Sequence, residues 1–377
     1  MMLSMGAWFL TTLSYSTQWI SKINKGMLGL LGLLAFYAIV LIIGEGNIRT
    51  HAVTILAPYY GFFVFYYYYS TNQNQTLGMI VKIVFAGLCV TFLTTLLAED
   101  QYAYREIKDI DMIIQSNYLK NIGTTHHIYS GALVGTVLFS FILAGDVVKK
   151  NSLILKVIGV LCFYLAITSS SAIAVVCSFI AIGGLLIQRS NSVLRYVLVP
   201  CILLMIFLLR VPIGEAIQNI GLSMDNKYMS KKLYDMGASI ASGESTGELA
   251  GRTRLWMQDL NTFTDSYFMG IGSYYLGAGN GMYSVTDHSQ MFSDMARYGI
   301  LFAIYIIFLF SRYIKLLNGM LRRYELQCNL NVYYFVFALM YVCQPVFTNF
   351  VIPTVFLFLI PGIVVIIGER KQLRRDL

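Results

Sequence analysis

The sequence predicts an all-α integral membrane protein with ten or eleven transmembrane helices, on three observations. Apolar residues make up 57% of the chain and charged residues only 12%, a composition that excludes an ordinary soluble domain. The mean hydropathy is +0.66. Runs of about 20 mainly apolar residues, the length that crosses the hydrocarbon core, recur along the whole chain. We therefore expect residues 1–377 to form a single polytopic membrane domain.

The apolar runs give the order of the predicted transmembrane helices. Ten runs are long enough, at about 27–44, 52–69, 77–97, 128–145, 154–169, 172–188, 195–211, 289–310, 332–349 and 351–367. Residues 3–20 form a weaker eleventh candidate. Two of the connections between the runs are long, residues 98–127 and 212–287.

Basic residues fall in alternate connections, which the positive-inside rule assigns to the cytoplasm. They are Lys22, Lys25, Lys149, Lys150, Arg189, Arg195, Arg312, Lys315, Arg322, Arg323 and those of the tail "ERKQLRRDL". Both long connections then lie outside. The net charge of +8 is spread over short cytoplasmic loops, so we expect the lipid bilayer and no nucleic acid as a partner.

Reactive polar groups are costly on a lipid-exposed helix, so we expect the chemistry in the long external connections. The second of these contains residues 245–275, "STGELAGRTRLWMQDLNTFTDSYFMGIGSYY". Arg252 and Arg254 come early in this stretch, an amphipathic segment around Trp256 follows, and a glycine turn at 270–272 closes it.

The segment Asp287-His288-Ser289-Gln290 fits a capping box, with Asp287 as N-cap and Gln290 three positions later. His288 would then be the first residue of the next membrane helix, beside unpaired backbone N–H groups. The helix dipole disfavours a cation there, which keeps an imidazole neutral as a general base requires. The same N–H groups suit a phosphate. An interfacial histidine with no catalytic role is the plainer alternative.

Asp294 and Arg297 lie one turn inside the same helix, three residues apart. At this spacing the two side chains can neutralise each other while they face the bundle. A role in helix packing alone is the alternative.

The ordered set of these features resembles the signature region of the bacterial O-antigen polymerase and O-antigen ligase superfamily. The matching residues here are Gly251-Arg252, Trp256, Gly270, Gly272, His288 and Gly299. The resemblance implies a GT-C-type glycosyltransferase in a bacterial cytoplasmic membrane, with an active site on the outer face. Its substrates would be oligosaccharides linked to undecaprenol through a diphosphate. In the polymerase branch, a growing capsule, O-antigen or exopolysaccharide chain is transferred to the next lipid-linked repeat unit. A flippase and a chain-length regulator would be further partners.

The resemblance also implies roles for single residues. His288 would accept the proton of the attacking sugar hydroxyl, and Arg252 would stabilise charge on the departing diphosphate. Arg254 would share that task, or it is a solvated loop charge. Trp256 and Asp287 would contribute to binding of the diphosphate or the sugar.

One position departs from the family pattern, which commonly has a Ser-Arg pair at an outer turn between two mid-chain helices. The matching place reads "TSSSAIAVV", with Ser171 where the arginine is expected. Arg210 and Arg105 are candidates, by position alone, for the missing phosphate-binding cation.

One other pattern predicts different chemistry. Asp109-Ile110-Asp111 in the first long connection is a D-x-D that could hold Mg²⁺ or Mn²⁺ against a diphosphate. Ile107, Ile110 and Ile114 repeat at helical spacing, so a surface helix explains the acids without a metal, and we expect no cofactor.

The rival functions are a ligase, which differs only in its acceptor, and a flippase or other transporter. Transporters favour internal repeats and ionisable groups at the bilayer midplane, and this sequence shows neither clearly.

Overall fold

A computed structural model gives the fold. It describes residues 60–97, 125–144, 153–168, 172–189, 204–205, 207–223, 227–244, 246–271, 285–286, 288–326, 330–344, 346 and 351–376. Within these residues all regular structure is helical and there is no strand, as the sequence predicts.

The helices are numbered along the described chain. They are α1 (60–70), α2 (Asn74–Leu97), α3 (Thr125–Ala144), α4 (Leu153–Thr168), α5 (Ala172–Arg189), α6 (Arg210–Leu222), α7 (Lys227–Ser242), α8 (Gly247–Asp265), α9 (Gln290–Arg323), α10 (Asn331–Cys343) and α11 (Val351–Thr354, Val355–Leu359 and Ile360–Asp376). The predicted external connection 212–287 therefore contains most of α6 and all of α7 and α8.

The predicted apolar runs coincide closely with α2 to α5, because each run is bounded by polar or small residues. Among the described residues, α9 and the segment 352–373 of α11 are long and apolar enough to cross a membrane. The predicted spans 3–20 and 27–44 lie outside the described residues. The number of ten or eleven crossings stays a prediction.

Helix α11 runs through a π-helical turn at Val355–Leu359 without a break. A π turn disturbs the regular pattern of backbone hydrogen bonds, and apolar surroundings require each freed group to find another partner. Tyr313 of α9 supplies one, because its hydroxyl donates to the carbonyl oxygen of Phe356 at 2.5 Å. The two rings pack with their centroids 4.5 Å apart.

The chain divides into two compact units. The first consists of the described residues within 1–87, 258–327 and 341–377. Its core includes Phe65 of α1, Leu317 of α9 and Phe356 of α11, all buried. It contains both candidate membrane-spanning helices.

The second unit consists of the described residues within 88–257 and 328–340. Helix α3 is its centre and packs against α4 and α5. The Thr136 hydroxyl of α3 lies 3.4 Å from the Ser178 hydroxyl of α5, both fully buried. Helices α6 and α7 form a closely packed antiparallel pair in the same unit.

Candidate functional site

Helix α8 presents its predicted site residues on two opposite faces. Arg252, Trp256, Asp259 and Phe263 follow one another at spacings of four, three and four residues, which places them on one face. Arg252 and Trp256 are half-buried, whereas Asp259 and Phe263 are buried. We call this stripe the inner face of α8. The predicted amphipathic segment is therefore confirmed.

Arg254 lies on the other side of α8, about 200° around the helix from Arg252. It shares that side with Gln258, Asn261 and Asp265, and all four are exposed. We call this the outer face of α8. The structure thus places Arg252 with Trp256 and separates both from Arg254, so the two arginines cannot be equivalent.

Arg210 begins α6 and is exposed, in the second unit. Its guanidinium carbon lies 5.7 Å from the centre of the Phe207 ring. The same guanidinium is packed against Gly243, just beyond the last residue of α7. Carbonyl groups at a helix C-terminus favour a nearby cation, which is sufficient to explain this placement.

The start of α9 corrects the predicted capping box. The helix begins at Gln290, and Ser289 is its N-cap, with an extended backbone and a side chain that accepts a hydrogen bond from the Phe292 N–H at 3.2 Å. His288 therefore precedes the N-cap and is exposed in a bend, instead of opening the helix. A serine hydroxyl is as good an N-cap as a carboxylate, so the sequence alone is compatible with either Asp287 or Ser289 as the N-cap.

The prediction that the backbone N–H groups at this helix start bind a phosphate is wrong for two of these groups. The Gln290 N–H donates to the carbonyl oxygen of Gln344 at 3.1 Å, and the Phe292 N–H is taken by Ser289. Neither group is free to bind an anion. His288 is the chemically active side chain that this end of α9 leaves accessible among its described residues.

A buried carboxylate joins α8 to the segment that leads into α9. Asp259 is 0% exposed and accepts hydrogen bonds from the Thr286 N–H at 2.8 Å, the Thr286 hydroxyl at 3.0 Å and the Ser293 hydroxyl at 2.8 Å. Burial raises the pKa of Asp259, while these hydrogen bonds and the charge of Arg297 act in the opposite direction.

A second buried carboxylate joins α9 to α10. The Oδ1 of Asp294 accepts from the Gln290 amide at 2.8 Å and its Oδ2 from the Tyr341 hydroxyl at 2.9 Å. Arg297 is only 2% exposed on the same helix, and its charge acts on Asp259. These contacts support the helix-packing role for Asp294 and Arg297. Direct pairing of the two stays a prediction.

Helix α9 is interrupted at Gly299, whose φ of 76° and ψ of −175° are not helical. The segment 268–271, after α8, fills the interruption. The Ile300 N–H donates to the Phe268 carbonyl and the Ile271 N–H to the Ala296 carbonyl, both at 2.9 Å. The glycine turn and the glycine of α9, which the sequence motif joins only in order, are therefore in contact.

Several predicted residues lie outside the described part of the chain. They are Arg105, Asp109, Asp111, Ser171, Gly272 and Asp287. Their predicted roles stay predictions.

Sequence reasoning missed Asp259 and Tyr341 as members of the buried network. Asp259 carries a detectable signal, because an acid three residues after Trp256 and four before Phe263 falls on the inner face of an amphipathic helix. Tyr341 carries none, since a tyrosine within an apolar run gives no indication that its hydroxyl has a buried partner.

Comparison with known proteins agrees with the motif. Residues 154–307 match the sequence profile of the O-antigen ligase family, a range that includes Arg252, His288 and Gly299. No curated protein and no solved structure matches the chain. The resemblance predicted from the ordered motif is thereby confirmed for residues 154–307.

Proposed function

We propose that the protein is a membrane glycosyltransferase that polymerises lipid-linked oligosaccharides. The observation that carries this proposal is the family match over residues 154–307, which includes the whole ordered motif. The family supports glycan transfer in general. The polymerase reaction, the undecaprenyl diphosphate carrier and the outer face of the bacterial cytoplasmic membrane are our finer proposal.

In the proposed reaction, a hydroxyl of the acceptor repeat attacks the anomeric carbon of the donor glycan. His288 takes the hydroxyl proton as the new C–O bond forms, and the bond from the anomeric carbon to the diphosphate oxygen breaks. Arg252 stabilises the negative charge that remains on the departing lipid diphosphate. The exposure of His288 supports its role, because an acceptor sugar can reach the imidazole.

Arg252 is the favoured diphosphate ligand for two reasons. Its position beside Trp256 on the inner face gives a guanidinium an aromatic neighbour, a pairing that suits a phosphorylated sugar. Arg254 belongs to the exposed outer face, among polar side chains that need no ligand. Arg210 and Arg105 remain candidates for a second cation.

The test is a transfer assay with purified protein and lipid-diphosphate-linked repeat units, which should yield a ladder of products. His288→Ala and Arg252→Ala should abolish the ladder, whereas Arg254→Ala, the matched control, should retain it. Full activity of either of the first two variants would remove that residue's role. Activity that is lost with a chelator and restored by Mg²⁺ would favour Asp109 and Asp111 instead.

Ligase-type transfer is the second candidate, because the matching family is described as O-antigen ligase. In the same assay, a ligase would leave repeat units unpolymerised and would transfer them to a different glycan acceptor. Movement of labelled lipid across vesicles without formation of a bond would support a flippase.

A further inference from the structure

Helix α8 ends in a Schellman motif that lacks its usual glycine. The Phe268 N–H donates to the Phe263 carbonyl and the Tyr267 N–H to the Thr264 carbonyl, both at 3.0 Å, which is the hydrogen-bond pattern of this motif. The Phe263 and Phe268 rings pack with centroids 5.1 Å apart, as the accompanying apolar contact requires. Tyr267 occupies the left-handed position, with φ of 53°, where glycine is preferred.

The side chains after this helix end are apolar and largely exposed. Tyr267 is 86% exposed, Phe268 51% and Met269 70%, and Phe268 also has a left-handed backbone with φ of 65°. We call these three residues the apolar tip. A left-handed backbone at a residue other than glycine costs about 1 kcal/mol or more, so a glycine at position 267 would make a more stable helix end. The contacts of the Tyr267 ring within the protein do not offset this cost, because the ring is almost fully exposed.

The apolar tip is fixed to a candidate membrane helix, α9, at the interruption of that helix. The Phe268 carbonyl accepts the Ile300 N–H at 2.9 Å, at the point where α9 resumes after its interruption. From Ile300 onward α9 exposes an apolar stripe that includes Leu301, Ile304 and Ile307, each more than half exposed. Because α9 is long and apolar enough to cross a membrane, we expect this stripe to face lipid. The tip therefore continues a lipid-facing surface at its end.

We propose that the apolar tip inserts into the bilayer beside Ile300, where α9 resumes after its interruption, and anchors the end of α8 in the membrane interface. Tyrosine suits this position, because its ring is apolar and its hydroxyl can remain in the headgroup region. The anchor sets the depth of α8 relative to the lipid surface. This inference does not depend on the proposed glycan transfer.

The test is the fluorescence of a Tyr267→Trp variant in liposomes that contain phospholipids brominated near the headgroup. We expect its added fluorescence to be quenched by the brominated lipids and to be insensitive to aqueous iodide. Asn261→Trp, on the outer face of α8, is the matched control and should show the reverse. The fluorescence of the unmodified protein, which contains Trp8, Trp19 and Trp256, is the background to be subtracted. Quenching of the Tyr267→Trp variant by iodide and not by brominated lipid would overturn the proposal.

A second measurement uses the unmodified protein, so it stands even if the tryptophan variant does not fold. Hydroxyl radicals are generated around the protein in phosphatidylethanolamine and phosphatidylglycerol nanodiscs, and oxidation of each methionine is mapped. Met269 should be oxidised less in nanodiscs than in the protein unfolded in urea. Met257, which is exposed on α8, should be oxidised in both states. Equal oxidation of Met269 and Met257 in nanodiscs would contradict insertion.

Discussion

Gly270 and Gly299 are in backbone contact, and neither position has room for a side chain. A Cβ on Gly270 would lie 2.5 Å from the Gly299 amide nitrogen, and a Cβ on Gly299 would lie 2.5 Å from the Met269 carbonyl carbon. The φ angles of the two glycines are 77° and 76°. The turn after α8 and the interruption of α9 therefore require each other.

Gly270→Ala should destabilise the protein. Backbone strain alone costs about 1–3 kcal/mol, and the collision of the new methyl group with the backbone of α9 adds to that cost. Thermal unfolding in detergent measures this. Gly319→Ala in the same helix is the matched control. A Cβ there meets nothing within 4 Å, so we expect no loss, or a gain of up to about 1 kcal/mol. Equal behaviour of the two variants would contradict the contact.

Removal of the Tyr313 hydroxyl should take one hydrogen-bond donor away from the Phe356 carbonyl in the π turn. We expect Tyr313→Phe to lower the free energy of unfolding by about 1 kcal/mol or more, since the shape of the core is kept and only one buried hydrogen bond is lost. Tyr234→Phe, at an exposed position on α7, should have little effect. An unchanged free energy of unfolding in Tyr313→Phe would show that the π turn does not depend on this donor.

The buried Asp259 should make stability depend on pH in a defined direction. Its pKa is raised above the ordinary value of 3.8, so the folded protein holds the proton more tightly than the unfolded chain. Its contribution is therefore greatest below about pH 3.8 and is lost as the pH rises through the folded value. The free energy of unfolding of the native protein, minus that of Asp259→Asn, should therefore decrease as the pH rises through that window. The decrease is about 1.4 kcal/mol for every pH unit between the pKa of Asp259 in the unfolded chain and its pKa in the folded protein. Unfolding measured in pH steps tests this, with Asp265→Asn on the outer face as control. An advantage that grows with pH would oppose the assignment.

The two faces of α8 predict unequal effects of lysine substitution. Lysine keeps the charge of arginine and loses its planar, bidentate hydrogen bonding. Arg252→Lys should reduce glycan transfer by about a hundredfold, if the guanidinium stabilises the departing diphosphate. Arg254→Lys should leave the rate near that of the unmodified protein. The same transfer assay measures both rates. A larger loss of activity in Arg254→Lys than in Arg252→Lys would indicate that the outer face of α8, and not the inner face, binds the diphosphate.

Glycine at position 267 should stabilise the helix end by about 1 kcal/mol in detergent, because it removes the steric cost of the left-handed backbone. Tyr267→Ala is the control, since alanine removes the ring and retains that cost. Thermal unfolding of both variants against the unmodified protein measures the difference. A loss of stability in Tyr267→Gly would mean that the contacts of the tyrosine ring, with the protein or with the detergent, outweigh the cost of the left-handed backbone.

The sequence predicts the helices well where apolar residues run on and polar residues bound them, as in α2 to α5. It also predicts an amphipathic segment around Trp256, which is the middle of α8. It places the start of α9 two residues too early, because Asp287 and Ser289 are both good N-caps and only the fold selects between them. The contact of Gly270 with Gly299 and the partners of Asp259 arise from tertiary packing between distant segments. No local spacing contains that information.

The interruption of α9 has a mechanical consequence. The hydrogen bonds that the Ile300 N–H donates to the Phe268 carbonyl and the Ile271 N–H donates to the Ala296 carbonyl replace bonds that an unbroken helix would keep within itself. The end of α8 is thus built into the hydrogen-bond ladder of the helix beside it, instead of resting on its surface. A ligand that tilts or shifts this end of α8 must move α9 with it or break these hydrogen bonds, so a displacement of α8 is transmitted directly into a candidate membrane-spanning helix.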